Sequence, residues 1–444
     1  MPQNLARTLT KKDLVLLLVG TVIGSGIFLV PGAVLQQSGG HVGLALMVWS
    51  LGGVLSLLGA LTYGELGAMD SASGGLYVYI RDAFGRLPAF LYGWTLFFVI
   101  SSGSLATLAV AFSRYLDQLV DLSPLVARLV SVFVIVLITI INVVGTRRSA
   151  NVQNWTTGAK VAAIVVMSLA LIALGDRMGS IGGQAWPEIG TTALISGVGT
   201  AMIGVLWAYE GWQYVTFAAG ETVDPEKNFP RAMLIGTSAL IALYLLPNVA
   251  YIAALGPEGV ARSERVASEA VTALMGPTAG TLIAVAILVS IFSAANGLTL
   301  TAPRVYFAMA KDRVFFSRLA DVHPRFGTPA FAIIVSSAWA ILLAATGTFE
   351  QLLTYVVFAG WIFYALGAAS IFVYRRTRAT ARRPFSVPLY PFTPLLFILA
   401  AAAIVLNTIV AQPGRAAIGL AVVLLGVPVY WVWRSLAKGT LTST

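Results

Sequence analysis

Apolar residues run along this chain in blocks of about twenty, separated by short polar breaks. The blocks predict twelve membrane-spanning helices, at roughly 14–36, 42–68, 88–115, 124–144, 154–175, 192–219, 231–255, 279–309, 329–346, 351–374, 388–410 and 415–435. About 20 apolar residues in a helix cross the hydrocarbon of a bilayer, whereas barrel strands would alternate over about ten. The third and eighth blocks are long, so those helices are expected to tilt or to project beyond the lipid. The stretch 256–278 after the seventh block is polar and then mildly amphipathic. It is either a solvated connector or a short helix lying over the outer entrance.

Two of the twelve blocks are interrupted near mid-depth. The first contains "GTVIGSGIFLVP", residues 20–31, with Gly20, Gly24, Ser25 and Gly26 close together. The sixth contains "GTAMIGVLWAYEGWQYVTFAAGE", residues 199–221, with Glu210 and Gly211 between Trp207, Tyr209 and Trp212. Small residues also mark close helix contacts in membranes, so either break alone fits packing. Together they fall five spans apart, in matching positions of two halves of opposite topology, the pattern of a transporter's binding site. The halves are residues 14–175 and 192–374, followed by two helices over 388–436 and flanked by tails at 1–13 and 437–444.

A broken helix frees amide N–H groups at the start of its second half, where the dipole is positive. It also frees carbonyl oxygens at the end of its first half. A ligand carrying both a carboxylate and an ammonium satisfies both sets, and the backbone of an amino acid is such a ligand. Glycine lets the chain approach it without a Cβ in the way. On this reading Gly26→Val blocks the carboxylate while leaving the protein folded.

Composition agrees with a membrane protein. The chain of 444 residues is 58% hydrophobic and 10% charged, against about 25% charged in soluble domains. Its net charge of +10 does not require nucleic acid. With the N-terminus inside, twenty-one of the 28 Lys and Arg residues fall on inner segments and six on outer ones, with Lys160 inside the fifth span. That bias predicts cytoplasmic termini. No cleavable signal is read at the N-terminus. There is no cysteine and only two histidines, His41 and His323, so disulfides and thiol catalysis are excluded and no metal site or cofactor is expected. No HExxH is present and no histidine lies near a suitable serine and acid, which argues against a membrane enzyme. An amino acid sensor that does not transport remains as an alternative.

These segments resemble the amino acid–polyamine–organocation superfamily. "GTVIGSGIFLVP" is similar to its first-helix signature. "LWAYEGWQYVTFAAGE" followed by "KNFPRAM", "LTYGELGAMDSASGGLYVYI" and "SAANGLTLTAPRVYFAMAKD" resemble the sixth, second and eighth helices of its L-type amino acid transporter branch. The resemblance covers nearly the whole chain. It implies an all-α fold of twelve helices, a 5+5 inverted repeat of the leucine-transporter-like kind plus two C-terminal helices, with helices 1 and 6 broken. It also implies alternating access. The amides around Ser25 and Gly26, with the Ser25 hydroxyl, would hold the substrate carboxylate, with Gly211 expected at the substrate and Gly24 as a structural residue of the break. Carbonyls of Val22, Trp207 and Glu210 would take the ammonium. Trp207 falls where the family places an aromatic gate, and Tyr244 where members have a tyrosine near the first helix. Animal members join a single-span glycoprotein through a cysteine after the third helix. The loop "LDQLVDLSPL" has none, so no disulfide-linked subunit is expected and a bacterial plasma membrane is the expected location.

Lys160 either snorkels to the cytoplasmic interface or, as in many family members, replaces sodium. In the second case its ammonium would join carbonyls near Gly20 to Val22 to a hydroxyl of helix eight, Ser293 or failing that Ser290, and transport would not need sodium. Glu210 has three open readings: a structural cap, a ligand of the substrate ammonium, or a proton carrier. Glu65 reads as an inner-gate or loop contact. Asn296 and Trp361 read equally as pocket or gate residues and as packing. The expected function is sodium-independent exchange of neutral L-amino acids; proton-coupled symport and exchange of cationic amino acids or polyamines are the alternatives.

Overall fold

Every long element is helical because nothing else closes the backbone's hydrogen bonds within one segment in lipid. A computed structural model describes residues 7–439 apart from 71, 118, 178, 180–184, 188–191 and 348. Residues 1–6 and 440–444 of the two expected tails therefore lie outside the described residues.

The first break divides α1 (Lys11–Val22) from α2 (Gly26–Gln37), and the two are bent by 48°. Then follow α3 (Val42–Met69), the short α4 (Leu76–Phe84), α5 (Arg86–Thr95) and α6 (Ser101–Leu116). A π-helical turn at Leu96–Ile100 joins α5 to α6 into one 31-residue stretch. Next come α7 (Pro124–Val143), α8 (Thr146–Leu174) and α9 (Thr192–Ala208), the last continued by a 3-10 segment at Trp212–Glu221. The chain ends with α10 (Pro225–Arg262), α11 (Val266–Met275), α12 (Pro277–Thr301), α13 (Pro303–Lys311), α14 (Ala330–Thr346), α15 (Phe349–Thr377), α16 (Phe392–Ala411) and α17 (Pro413–Gly439).

Among the described residues nine stretches are long and apolar enough to cross a membrane, or ten with α1 and α2 counted as one bent span. The remaining two expected spans correspond to α9 and α14, each 17 residues and so just short of that length alone. The eighth block is not one straight helix, because Pro303 begins α13 without an N–H to continue the ladder. The seventh kinks at Gly256 (φ 70°), followed by Pro257. Beyond that kink, α11 buries Val266, Ala267, Ala270 and Val271, so the stretch after the seventh span holds a packed helix and is not a solvated connector.

Lipid-facing and protein-facing sides separate cleanly on the outer helices. On α7, Leu125, Leu129, Phe133, Val136 and Ile140 are exposed at three- and four-residue spacing, one stripe of a helix. On α16, Leu395, Leu399, Leu406 and Val410 are exposed likewise. The inner helices pack α1 against α8, α10 and α12.

The end of the bundle where the basic residues gather is tied by ion pairs. Arg304 at the start of α13 meets Glu221 at 2.7 Å, and also donates to the Thr146 hydroxyl at 2.9 Å. Both charged side chains are 2% exposed or less. Leu9 pairs with this region through its backbone, donating to the Glu221 carbonyl and accepting from Val223. Glu65 on α3, fully buried, accepts from Arg375 at 2.8 and 2.6 Å and from the Val387 amide at 2.7 Å. These contacts hold Glu65 to α15 and to the loop at Val387, and it does not line the cavity described below.

Arg304→Ala leaves the Glu221 carboxylate buried and unpaired, a loss of about 3–5 kcal/mol. The thermal midpoint of the purified protein in detergent is expected to fall clearly, and pairing Arg304→Met with Glu221→Leu should restore most of it. A wild-type midpoint for Arg304→Ala would show that the pair contributes nothing.

Candidate functional site

The first break is an interruption of the hydrogen-bond ladder. α1 ends at Val22, Ile23 turns to an extended conformation (ψ 92°) and α2 restarts at Gly26. No carbonyl among the described residues accepts from the amides of Gly24, Ser25, Gly26 or Ile27. The Ser25 hydroxyl beside them is buried and unpartnered. These are free donors at a helix N-terminus, a ready site for an anion.

The second break follows α9. Tyr209 and Glu210 form a turn, with the Glu210 amide donating to the Trp207 carbonyl at 3.0 Å. Gly211 takes φ 124°, a conformation that L side chains rarely adopt. Its amide donates to Gln213 Oε1 at 3.2 Å. The carbonyls of Thr21, at the first break, and Glu210, at the second, accept no backbone amide.

The two breaks face each other. A Cβ on Gly26 would lie 2.6 Å from Ala208 Cα, and one on Gly211 would lie 3.2 Å from the Thr21 carbonyl. Tyr244 on α10 bridges them, its hydroxyl 3.0 Å from the Val22 carbonyl and 2.6 Å from the Ala208 carbonyl. One hydroxyl has one proton, so it serves these two acceptors in turn.

Between the breaks lies a narrow cavity of about 20 Å³, room for little more than a water molecule. It is lined from α1 and α2 by Thr21, Val22, Gly24, Ser25 and Gly26. From the second break come Trp207, Glu210, Gly211 and Tyr214; Ser104 and Leu108 of α6 and Leu298 of α12 complete it. Two of these residues, Thr21 and Ser25, carry buried hydroxyls with no hydrogen-bond partner, and the hydroxyls of Ser104 and Tyr214 lie beside each other. Buried polar groups are nearly always paired, so the Thr21 and Ser25 hydroxyls add polar groups to the wall of this cavity.

Lys160 points inward. It is 2% exposed, and its ammonium donates to the Gly20 carbonyl at 2.6 Å, the Ile23 carbonyl at 2.5 Å and the Ser290 carbonyl at 3.4 Å. Three protons meet three carbonyls, which is incompatible with snorkelling. The contact with helix eight runs through Ser290, whose hydroxyl also donates to the Ile23 carbonyl at 3.2 Å. Ser293 is the residue to correct. Its hydroxyl is buried without a partner, because three residues move a side chain about 4.5 Å along a helix and most of a turn around it.

Glu210 is buried and lines the cavity. Its Oε1 accepts from Gln213 Nε2 and from the Tyr364 hydroxyl, both at 2.5 Å. Among the expected ammonium ligands, the carbonyls of Val22 and Trp207 already accept from Tyr244 and from the Glu210 amide. The Val22 carbonyl keeps a second lone pair. Trp207 lines the cavity; Trp361 does not, and packs on Phe397 with ring centres 5.5 Å apart. Asn296 is also outside it, in a buried network with Asn142 at 2.9 Å and Gln153 at 3.0 Å.

The comparisons with known proteins bear on this geometry. The amino acid permease family model matches residues 9–432. The chain belongs to the amino acid permease family. The permease is 33% identical over 418 residues to the serine/threonine exchanger SteT of Bacillus subtilis, covering 94% of each chain. It is 33% identical over 430 residues to the large neutral amino acids transporter small subunit 2 of Homo sapiens, covering 94% of the permease and 78% of that protein. It is 33% identical over 404 residues to the b(0,+)-type amino acid transporter 1 of Mus musculus, covering 89% and 81%. These relatives put the permease in the L-type amino acid transporter branch, among multi-pass membrane carriers and not enzymes.

Several residues of the permease's site were not singled out from its sequence. Gln213 and Tyr214 follow Glu210 by three and four residues, so the local spacing could have found them. Tyr364 is three residues beyond Trp361 on α15, a neighbouring position on the same helix face. Ser104, Leu108, Thr21 and Leu298 carry no sequence signal beyond lying in apolar spans.

The close approach at Gly26 changes the expectation for its substitution. Even one methyl there meets the backbone of Ala208, so Gly26→Val pushes the breaks apart and does not leave the fold intact. Gly26→Ala is expected to lower the thermal midpoint by overpacking, at about 1–3 kcal/mol. Gly158→Ala, on α8 with open space around it, should not lower it. Equal melting of the two variants would contradict the close contact.

Proposed function

We propose that this permease exchanges neutral L-amino acids across a bacterial plasma membrane by alternating access, without sodium. The observation that carries the reading is the pair of facing helix breaks around one cavity, with free amides on one side and free carbonyls on the other. The amides of Ser25 and Gly26 and the Ser25 hydroxyl hold the substrate carboxylate. The ammonium goes to carbonyls at the breaks, those of Glu210 and Val22 with Thr21 added. Trp207 covers the substrate, and Gly24 and Gly211 give it room.

Sodium independence is supported by Lys160, whose ammonium occupies carbonyls of the first break that a cation would otherwise take. Tyr244 couples the two breaks. The twelve spans, with residues 14–175 and 192–374 as inverted repeats, follow from the matching positions of the breaks. Both termini lie in the cytoplasm, as the distribution of basic residues supports. The chain has no cysteine for a disulfide-linked subunit, and it functions without one. The relatives named as exchangers and amino acid transporters support the same class.

Glu210 supports a second reading. A carboxylate in the cavity wall, held by Gln213 and Tyr364, could carry a proton with the substrate or meet a cationic side chain. In the first case a pH gradient drives uptake into unloaded vesicles. In the second, arginine competes and alanine does not.

Purified protein in liposomes preloaded with unlabelled alanine or leucine is expected to accumulate the labelled amino acid. Replacing sodium by choline should leave the rate unchanged. Absence of counterflow for every neutral amino acid would overturn the reading, and binding without flux would mark a sensor.

A further inference from the structure

We infer that Gln153 on α8 is a positioning residue of the cavity, acting through the Thr21 hydroxyl by way of one bridging water. The inference rests on the amino acid reading of the site and deepens it. Asn142, Asn296 and Gln153, from α7, α12 and α8, are 1% exposed or less. Their side-chain amides form a chain whose direction is fixed by acceptors that cannot be reversed. Asn142 Nδ2 donates to the Ile138 carbonyl at 2.9 Å, and a carbonyl only accepts. The same nitrogen gives its second hydrogen to Asn296 Oδ1 at 2.9 Å. Asn296 Nδ2 then donates to the Ser149 carbonyl at 3.3 Å and to Gln153 Oε1 at 3.0 Å. Gln153 Nε2 is left over as a buried donor with no acceptor. Turning that amide over would set two N–H groups against each other, so the unpaired atom is the nitrogen.

The chain ends beside the cavity. Thr21 lines it, is 4% exposed, and has an unpartnered hydroxyl. This hydroxyl and Gln153 Nε2 make no hydrogen bond to each other, yet they flank one point. A Cβ on Gly297 would lie 2.2 Å from Thr21 Oγ1 and 3.1 Å from Gln153 Nε2. A Cβ on Gly20 would lie 2.2 Å from the same nitrogen and 2.1 Å from Thr157 Oγ1. The two bare glycine backbones thus make room for polar side chains from three helices. A water between them accepts from Gln153 and donates to Thr21, with Thr157 Oγ1 as a third neighbour, and this pairs two buried groups at once. Thr21 stands one residue before the end of α1, and its carbonyl is among those assigned to the substrate ammonium. Holding its side chain from behind fixes the direction of that carbonyl.

The test is the kinetics of neutral amino acid counterflow in proteoliposomes. Thr21→Val keeps the shape and loses the hydroxyl. Gln153→Met keeps the length and loses the amide, while Asn296 retains the Ser149 carbonyl. Each is expected to raise KM about fivefold to tenfold with the maximal rate little changed, the size of one lost buried hydrogen bond. The double variant should raise KM no further than the larger single change, because both break one link. Thr21→Ser, which keeps the hydroxyl, should stay near the wild-type value. The inference is overturned by a wild-type KM in Thr21→Val, by equal losses in Thr21→Ser and Thr21→Val, or by single effects that multiply in the double variant. Where Gln153→Met does not fold, high-resolution density of the wild-type protein decides: a water joining Thr21 to Gln153 supports the link, and a Gln153 nitrogen bonded elsewhere overturns it. If the wild-type protein exchanges no neutral amino acid, the transport reading falls, and the same density still tests the link.

Discussion

A backbone carbonyl or amide in the middle of a bilayer has no water to turn to, and each one left unpaired costs several kcal/mol. The two interruptions at Ile23–Ser25 and Tyr209–Gly211 therefore need partners, and three buried polar side chains supply some of these. Lys160 closes the carbonyls of Gly20 and Ile23, Ser290 adds a hydrogen bond to Ile23, and Tyr244 caps Val22 and Ala208. What these side chains do not cover is as informative. The amides of Gly24 to Ile27 and the carbonyls of Thr21 and Glu210 have no backbone partner among the described residues, and the Thr21 and Ser25 hydroxyls have none at all.

The fold serves this arrangement by bringing one end of each half-helix to the same point. α1 and α9 both end at the cavity with their carbonyls, while α2 begins there with its amides. Opposite partial charges thus stand on opposite sides of a small space. Gly26 and Gly211 permit the approach, because a Cβ at either would meet the facing chain.

Much of this was legible in the sequence because the physics is local. Apolar blocks of bilayer length and glycine clusters at mid-depth are patterns within one segment, and they located the spans and both breaks. Lys160 could be placed near Gly20 to Val22, since a buried ammonium needs carbonyls and the break is where free ones occur. Contacts between segments were harder. Whether Ser290 or Ser293 faces the break depends on the rotation of α12, which an almost uniformly apolar helix does not declare. Trp361 was singled out for its size, yet Tyr364, one turn along, has the hydroxyl that reaches Glu210. Ser104 and Leu298 look like any other residues of an apolar span. Their significance appears only when the cavity does.

The central claim is that backbone groups of the two breaks bind the backbone of an amino acid. It is tested most directly by calorimetric titration of the detergent-purified protein. A free L-amino acid that exchanges is compared with its amide, which lacks the carboxylate, and its N-acetyl derivative, which lacks the ammonium. The free amino acid is expected to bind, and each derivative to lose at least about tenfold in affinity, because one set of break groups is left unpaired. Binding of the amide or the N-acetyl compound as tight as that of the parent would contradict the account.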